Sequence, residues 1–229
     1  MIDDSKIILA LDSKSVESSL DMIGKTKDYV AVYKLGLEFY LSNGLEGVSA
    51  IQSEHPELRF FLDLKLHDIP NTVAEAASSI APLAPTFLTV HASGGYEMVK
   101  AAVDRLPNTH ITAVTVLTSL DSDELKQLGL PGDAISLAVA LAKRAVVAGA
   151  GAIVCSPHEA AQIRSAVGNK VLLITPGVRP HDSSADDQKR VMTPVEAISQ
   201  GANFVVIGRP ITKAADPAKA AELIFSSMQ

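Results

Sequence analysis

Between Arg59 and Thr72 the chain reads Arg-Phe-Phe-Leu-Asp-Leu-Lys-Leu-His-Asp-Ile-Pro-Asn-Thr, and Asp63, Lys65 and Asp68 bring three charges into six residues of it. Phe60, Phe61 and Leu62 form an apolar run that reads as a buried strand. Alternate strand residues share a face, so Asp63 and Lys65 point the same way from backbone sites roughly 7 Å apart, close enough for their heads to pair. Asp68 leaves the strand, and the Ile69-Pro70 step resists helix continuation until Asn71 can cap a new helix. At a surface such a pair is an ordinary salt bridge of small energetic weight. At the mouth of a buried strand it becomes a candidate for chemistry, because buried charges are costly unless they are paired or used.

The elements that must hold these groups follow from the hydrophobic pattern. Short β-rich runs alternate about eight times with longer amphipathic stretches. The runs lie at Lys6 to Asp12, Ala31 to Leu37, Arg59 to Leu66, Phe87 to Ala92, His110 to Leu117, Ala150 to Ser156, Val171 to Val178 and Asn203 to Pro210. Helical patterns include Glu38 to Ser53, Asn71 to Leu83, Tyr96 to Leu106, Ala134 to Ala148 and Pro157 to Val167. Continuous apolar strands such as Ile7-Ile8-Leu9-Ala10-Leu11 belong in a parallel sheet covered by helices. Eight such units in 229 residues predict a single-domain (β/α)8 barrel over residues 1–229 rather than an open doubly wound sheet.

Composition narrows the class further. A hydrophobic content of 47% supports a large core, and aromatics at only 4% mean that it is mostly aliphatic. A net charge of -6 leaves no basic footprint for nucleic acid and no polybasic membrane patch. The single cysteine, Cys155, excludes an internal disulfide, no apolar run reaches a membrane span, and the first residues lack a secretory signal. The expected location is the cytoplasm.

A barrel of this kind carries its chemistry at the C-terminal ends of its strands. There the sequence supplies Asp12 after strand one, Lys34 on strand two, Asp63 and Lys65 on strand three, and Thr118 and Ser119 after strand five. The loops after strands seven and eight commonly hold a phosphate in this fold, and they offer Pro176, Gly177, Arg179, Gln188, Gly208 and Arg209. Glycines let backbone N–H groups approach an anion, and an arginine can fork onto two of its oxygens. The polar stretch from Arg179 to Gln188 has no apolar period and reads as a mobile loop, at about 178–190, that closes on the phosphate.

Taken together, the Asp63-x-Lys65-x-x-Asp68-Ile-Pro-Asn-Thr72 block, Ala10-Leu11-Asp12, Val32-Tyr33-Lys34, Leu117-Thr118-Ser119, Thr175-Pro176-Gly177-Val178-Arg179, Gln188 and Ile207-Gly208-Arg209-Pro210 resemble the orotidine 5'-phosphate decarboxylase family over essentially the whole chain. The resemblance implies conversion of orotidine 5'-monophosphate to UMP and CO2 in de novo pyrimidine synthesis, with no metal or organic cofactor. It implies that Lys65 protonates C6 of the pyrimidine as CO2 leaves, that Asp63 lies beside the substrate carboxylate, and that Lys34 bridges Asp63 and the ribose. Asp12 would hold a ribose hydroxyl, Thr118 and Ser119 would lie along the base, and Gln188, Gly208, Arg209 and Arg179 would serve the phosphate. Asp68, Ile69 and Thr72 would reach into the site of a second subunit, which makes a homodimer with shared sites the expected assembly.

These residue types suit that reaction. Loss of CO2 leaves negative charge on a ring carbon that disperses it poorly, so a fixed ammonium supplies both counter-charge and proton. Metal-dependent relatives of the same barrel, the keto-sugar-phosphate decarboxylases and hexulose-phosphate synthases, share the Asp-x-Lys-x-x-Asp block but hold magnesium with a strand-two glutamate, where this chain has Lys34. Phosphosugar epimerases would need histidine ligands at several strand ends, and a non-catalytic nucleotide-binding barrel would not need both lysines and both aspartates. Outside the block, His67 reads as solvent-facing and His91 as packed near the site rather than metal-binding. Cys155 reads as a small buried strand residue, and Glu196 as the distal half of a capping box with Thr193.

Overall fold

The computed structural model describes residues 4–130, 133–179 and 192–229. Eight parallel strands close into a barrel in sequence order: β1 (Ile7–Leu11), β2 (Val32–Gly36), β3 (Phe60–Leu66), β4 (Phe87–His91), β5 (His110–Val114), β6 (Ala152–Val154), β7 (Leu172–Thr175) and β8 (Phe204–Ile207). The β1–β8 seam pairs Ile8 with Val206 and completes the closure. The (β/α)8 expectation holds at every strand.

Several strands end earlier than the apolar runs suggest. β5 stops at Val114 rather than Leu117, β6 at Val154 rather than Ser156, and β7 at Thr175. At β7 the cause is Pro176, which has no N–H to give the ladder. The residues released from the ladder become the loops of the barrel mouth.

Around the barrel run α1 (Val16–Thr26), α2 (Leu37–Glu54), α3 (Pro70–Ile80), α4 (Gly95–Arg105), α5 (Ser122–Gln127), α6 (Ala134–Val147), α7 (Ala160–Val167), α8 (Pro194–Ser199), α9 (Arg209–Thr212) and α10 (Pro217–Ser227). Their starts are fixed by local polar groups. Ser15 and Asp133 accept a backbone N–H at the heads of α1 and α6, and Thr193 with Glu196 forms the expected capping box of α8. The head of α3 departs from the sequence reading. Pro70, not a capped Asn71, begins the helix, with Ile69 as an N-cap that makes no side-chain bond. Proline is well suited to the first helical position, where its missing N–H would have no partner in any case.

Two cores result. The larger lies between strands and helices and contains Ile7, Leu9, Leu35, Leu62, Leu88 and Ile153, all fully buried. The smaller fills the barrel interior with Ile8, Val32, Phe61, Phe87, Ala152 and Ile174. Three of the chain's six phenylalanines meet there: the ring of Phe87 lies 5.6 Å from Phe61 and 6.0 Å from Phe204. Such ring pairs contribute about 0.5–1.5 kcal/mol each beyond their buried area. They make an apolar floor, and above it the inward residues of β2, β3 and β4 are the polar Lys34, Asp63 and Thr89. Among the described residues no helix is long and apolar enough to cross a membrane.

Candidate active site

Above the aromatic floor, the strand period turns Lys34 of β2 and Asp63 of β3 inward, two register positions apart, since Lys34 pairs with Phe61 and Gly36 with Asp63. The Lys34 ammonium lies 3.3 Å from Asp63 Oδ2 and 3.5 Å from Asp12 Oδ1, and the Lys65 ammonium lies 2.7 Å from Asp63 Oδ1. Charges therefore alternate along a line, Asp12, Lys34, Asp63, Lys65, and each like pair is separated by an opposite charge. The side chains of Lys34 and Asp63 keep only 11% and 14% of their exposure, so this attraction is weakly screened. Gly36 leaves the array its room, because a methyl at that position would come within 3.0 Å of Lys34 Nζ.

The Asp63–Lys65 contact is not made by a regular strand. Leu62 pairs with Leu88 and Leu66 with Val90, so residues 63 to 65 of β3 face Thr89 alone. Lys65 takes up the excess with a left-handed backbone, φ 50°. For a residue with a Cβ this costs about 1–2 kcal/mol, and such strain concentrates at functional sites. Thr89, fully buried, fills the gap: its hydroxyl accepts the Lys65 N–H at 2.8 Å and donates to Asp63 Oδ1 at 3.1 Å.

Burial pushes the Asp63 carboxyl up, but Lys34 and Lys65, with hydrogen bonds from Lys65 and Thr89, outweigh it and hold the group below the usual carboxylate range. A depressed folded-state value stabilises the fold above the unfolded carboxyl value near ~4, and the contribution is lost as pH falls through the folded value. Urea midpoints measured from pH 5 downward should therefore fall less steeply in Asp63→Asn than in the parent chain; identical slopes would mean that the carboxylate contributes nothing.

The remaining candidates divide into three groups. Thr118 and Pro176 line the same cavity as Lys34, Asp63 and Lys65, and Ser119 lies beside Thr118 in an exposed turn. Gly208 and Arg209 follow β8 at the same rim, with Gly208 as the N-cap of α9. Arg179 is buried, and its N–H donates to the Met192 carbonyl while Val178 bridges to Met192, which ties both sides of the 180–191 segment together. Gln188 and loop positions 180–190 lie outside the described residues.

Asp68, Ile69 and Thr72 form the third group, and none of them joins the charged array of its own chain. Asp68 does not flank Lys65 within the chain. Its Oδ1 accepts the Ile69 N–H at 2.7 Å, and the whole trio faces outward, Ile69 with 66% of its surface exposed. The bulge that carries Lys65 inward ends before Asp68, and the turn into α3 carries Asp68 away.

The sequence reading did not single out Thr89, nor the apolar wall of the cavity, formed by Val114, Val116, Leu117, Val154, Cys155 and Val206. His67 is exposed as expected, with its ring 5.1 Å from that of His91. Burial, followed by the neighbouring His67 and the Lys65 ammonium, lowers the pKa of His91 and favours its neutral form, although Asp63 opposes this. Among the described residues no three His, Cys, Asp or Glu side chains group as a metal site.

Comparison with known proteins places the chain in a family. The model of the orotidine 5'-phosphate decarboxylase / HUMPS family matches residues 5–224. An orotidine 5'-phosphate decarboxylase of Thermobifida fusca is 52% identical over 97% of this chain and 95% of its own length. One of Gluconobacter oxydans is 43% identical over 98% and 97%. The crystal structure of orotidine 5'-phosphate decarboxylase from Lactobacillus acidophilus superposes with a TM-score of 0.86 at 34% identity, covering 98% of this chain and 99% of that one. A family model that spans residues 5–224, relatives of 43–52% identity over nearly the whole chain and a shared barrel fold make this chain a member of the orotidine 5'-phosphate decarboxylase / HUMPS family.

Proposed function

We propose that this protein decarboxylates orotidine 5'-monophosphate to UMP and CO2 in de novo pyrimidine synthesis, without a metal or organic cofactor. The observation that carries the reading is Lys34 between Asp12 and Asp63, next to Lys65. The family name covers two chemistries, and strand two separates them. A magnesium-dependent hexulose-phosphate synthase or keto-sugar-phosphate decarboxylase needs an anionic ligand there, whereas here an ammonium sits 3.3 Å from one carboxylate and 3.5 Å from the other. The relatives at 52% and 43% identity carry the decarboxylase name.

In the proposed reaction the pyrimidine lies in the cavity against its apolar wall, with C6 toward Lys65. As the C6–carboxylate bond breaks, its electron pair stays on C6, and Lys65 Nζ first offsets that charge and then gives C6 its proton. The array is preorganised, so little reorganisation is needed as charge develops. Asp63 holds Lys65 in place and lies beside the departing carboxylate. Lys34 and Asp12 serve the ribose hydroxyls, Thr118 and Ser119 the base, and Pro176, Arg179, Gln188, Gly208 and Arg209 the phosphate end. Phosphate binding, remote from C6, provides energy that can be used to close the 178–190 loop and order the array.

The working unit in this proposal is a homodimer. Asp68, Ile69 and Thr72 stand exposed beside the mouth, an arrangement suited to completing a second subunit's site, and an isoleucine 66% exposed favours being covered. In that assembly Asp68 of the partner subunit supplies the carboxylate on the free side of Lys65. The cytoplasm, where the pyrimidine precursors are made, is the proposed location.

The test is the orotate absorbance of orotidine 5'-monophosphate incubated with purified protein in excess EDTA, beside a sample given magnesium. Equal loss of the band in both is expected. Loss only with magnesium would transfer the chain to the metal-dependent branch, and no loss in either would remove the decarboxylase reading.

A further inference from the structure

We infer that Thr89 is a positioning residue of the active site, whose single hydroxyl sets the geometry of the Asp63–Lys65 pair by bonding to both residues at once. For its kinetic consequence the inference rests on the decarboxylase reading; its structural consequence stands apart from that reading.

Between the Leu62–Leu88 and Leu66–Val90 pairs, three residues of β3 face one residue of β4. A bulge leaves ladder groups of the longer strand unpaired and re-aims its side chains. Here the N–H at risk is that of Lys65, the residue whose ammonium must be aimed. With one β4 residue opposite, a side chain from that residue is the available partner, and Thr89 Oγ1 lies 2.8 Å from Lys65 N.

A hydroxyl has one hydrogen to donate and lone pairs to accept, so it can serve a donor and an acceptor together. Thr89 uses both capacities. It accepts from the Lys65 backbone and gives its hydrogen to Asp63 Oδ1 at 3.1 Å, the oxygen that also receives Lys65 Nζ at 2.7 Å. A ring closes through the Lys65 backbone, the Thr89 hydroxyl, the Asp63 carboxylate and the Lys65 ammonium. Both ends of Lys65 are therefore referred to one point on β4.

That point is rigid. Thr89 has no exposed surface, and its backbone neighbours pair regularly with β5, Thr89 itself with Thr112. Its branched Cβ further restricts χ1. Without the hydroxyl, the left-handed turn at Lys65 keeps its cost and loses the bond that offsets it, while Asp63 loses one of the donors that hold it ionised. Valine has nearly the shape of threonine and neither capacity. Serine has both capacities and less bulk.

The experiment compares Thr89→Val, Thr89→Ser and Thr89→Ala with the parent dimer. Thr89→Val is expected to lower kcat on the order of 10- to 100-fold, the scale of a small misplacement of reacting groups, with KM moved no more than about 3-fold. Thr89→Ser should stay within about 3-fold of the parent in kcat, since it keeps the donor and the acceptor. A second reading uses no substrate. In carboxyl-labelled, ligand-free protein the Asp63 resonance should titrate at higher pH in Thr89→Val than in the parent and at the parent's pH in Thr89→Ser. Should Thr89→Val not fold, the Ala and Ser variants make the same comparison.

Unchanged kcat and an unchanged Asp63 titration in the chain lacking the hydroxyl would overturn the inference, as would a serine variant as impaired as the alanine one. A parent protein that does not consume orotidine 5'-monophosphate would overturn the decarboxylase reading instead, and the carboxyl titration would then decide the role of Thr89 by itself.

Discussion

Lys65→Ala is expected to lower decarboxylation by at least ~10⁴-fold while UMP still binds with measurable affinity. Two contributions disappear together: a positioned proton donor, worth about 10²–10⁴ in rate, and a preorganised charge beside the developing carbanion, worth about another 10²–10³. Binding should survive because the phosphate and ribose contacts proposed above involve other residues of the rim, such as Gly208, Arg209 and Asp12. Single-turnover loss of orotate absorbance, with UMP titration by calorimetry on the same sample, measures both. A variant that still turns over would remove Lys65 from the reaction. A variant that neither turns over nor binds would point to collapse of the array, because Asp63 would then keep Lys34 as its only ammonium partner among the described residues.

The second large effect tests the shared site. Asp68→Ala alone should be severely impaired, yet mixing it with Lys65→Ala under conditions of subunit exchange should restore about one quarter of parental activity. Random pairing makes half the dimers mixed, and each mixed dimer contains one site with both residues intact and one with neither. The outward stance of Asp68 and Ile69 is the structural reason to expect this. Mixtures that stay inactive after exchange is verified by mass would leave Asp68 without a role in a neighbouring site.

What the sequence made legible, and what it hid, follows from how local each signal is. Parallel strands buried on both faces are continuous apolar runs, so all eight were visible, and the two-residue spacing of Asp63 and Lys65 already placed them on one face. Strand ends were less visible, because Val116 and Leu117 are as apolar as the strand before them and differ only in leaving the ladder. The bulge was invisible for a stronger reason. Asp-Leu-Lys is a regular alternation, and only pairing with a strand 24 residues away shows that Thr89 must face three residues at once. Thr89 itself, in Phe-Leu-Thr-Val-His, looks like ordinary strand filling. Asp68 is near Lys65 in sequence, yet the turn to Pro70 sends it outward, which the spacing alone does not show.

The left-handed backbone at Lys65 also bears on how this sequence can change. Glycine adopts that conformation without steric cost, so the fold by itself favours glycine at position 65, where the proposed reaction needs a long cationic side chain. Any procedure that ranks variants by foldability alone, whether inverse design or selection for heat resistance, is pushed toward removing the residue to which the proposed mechanism assigns the proton transfer. If the proposed role of Lys65 holds, position 65 must be held fixed when this barrel is engineered for robustness.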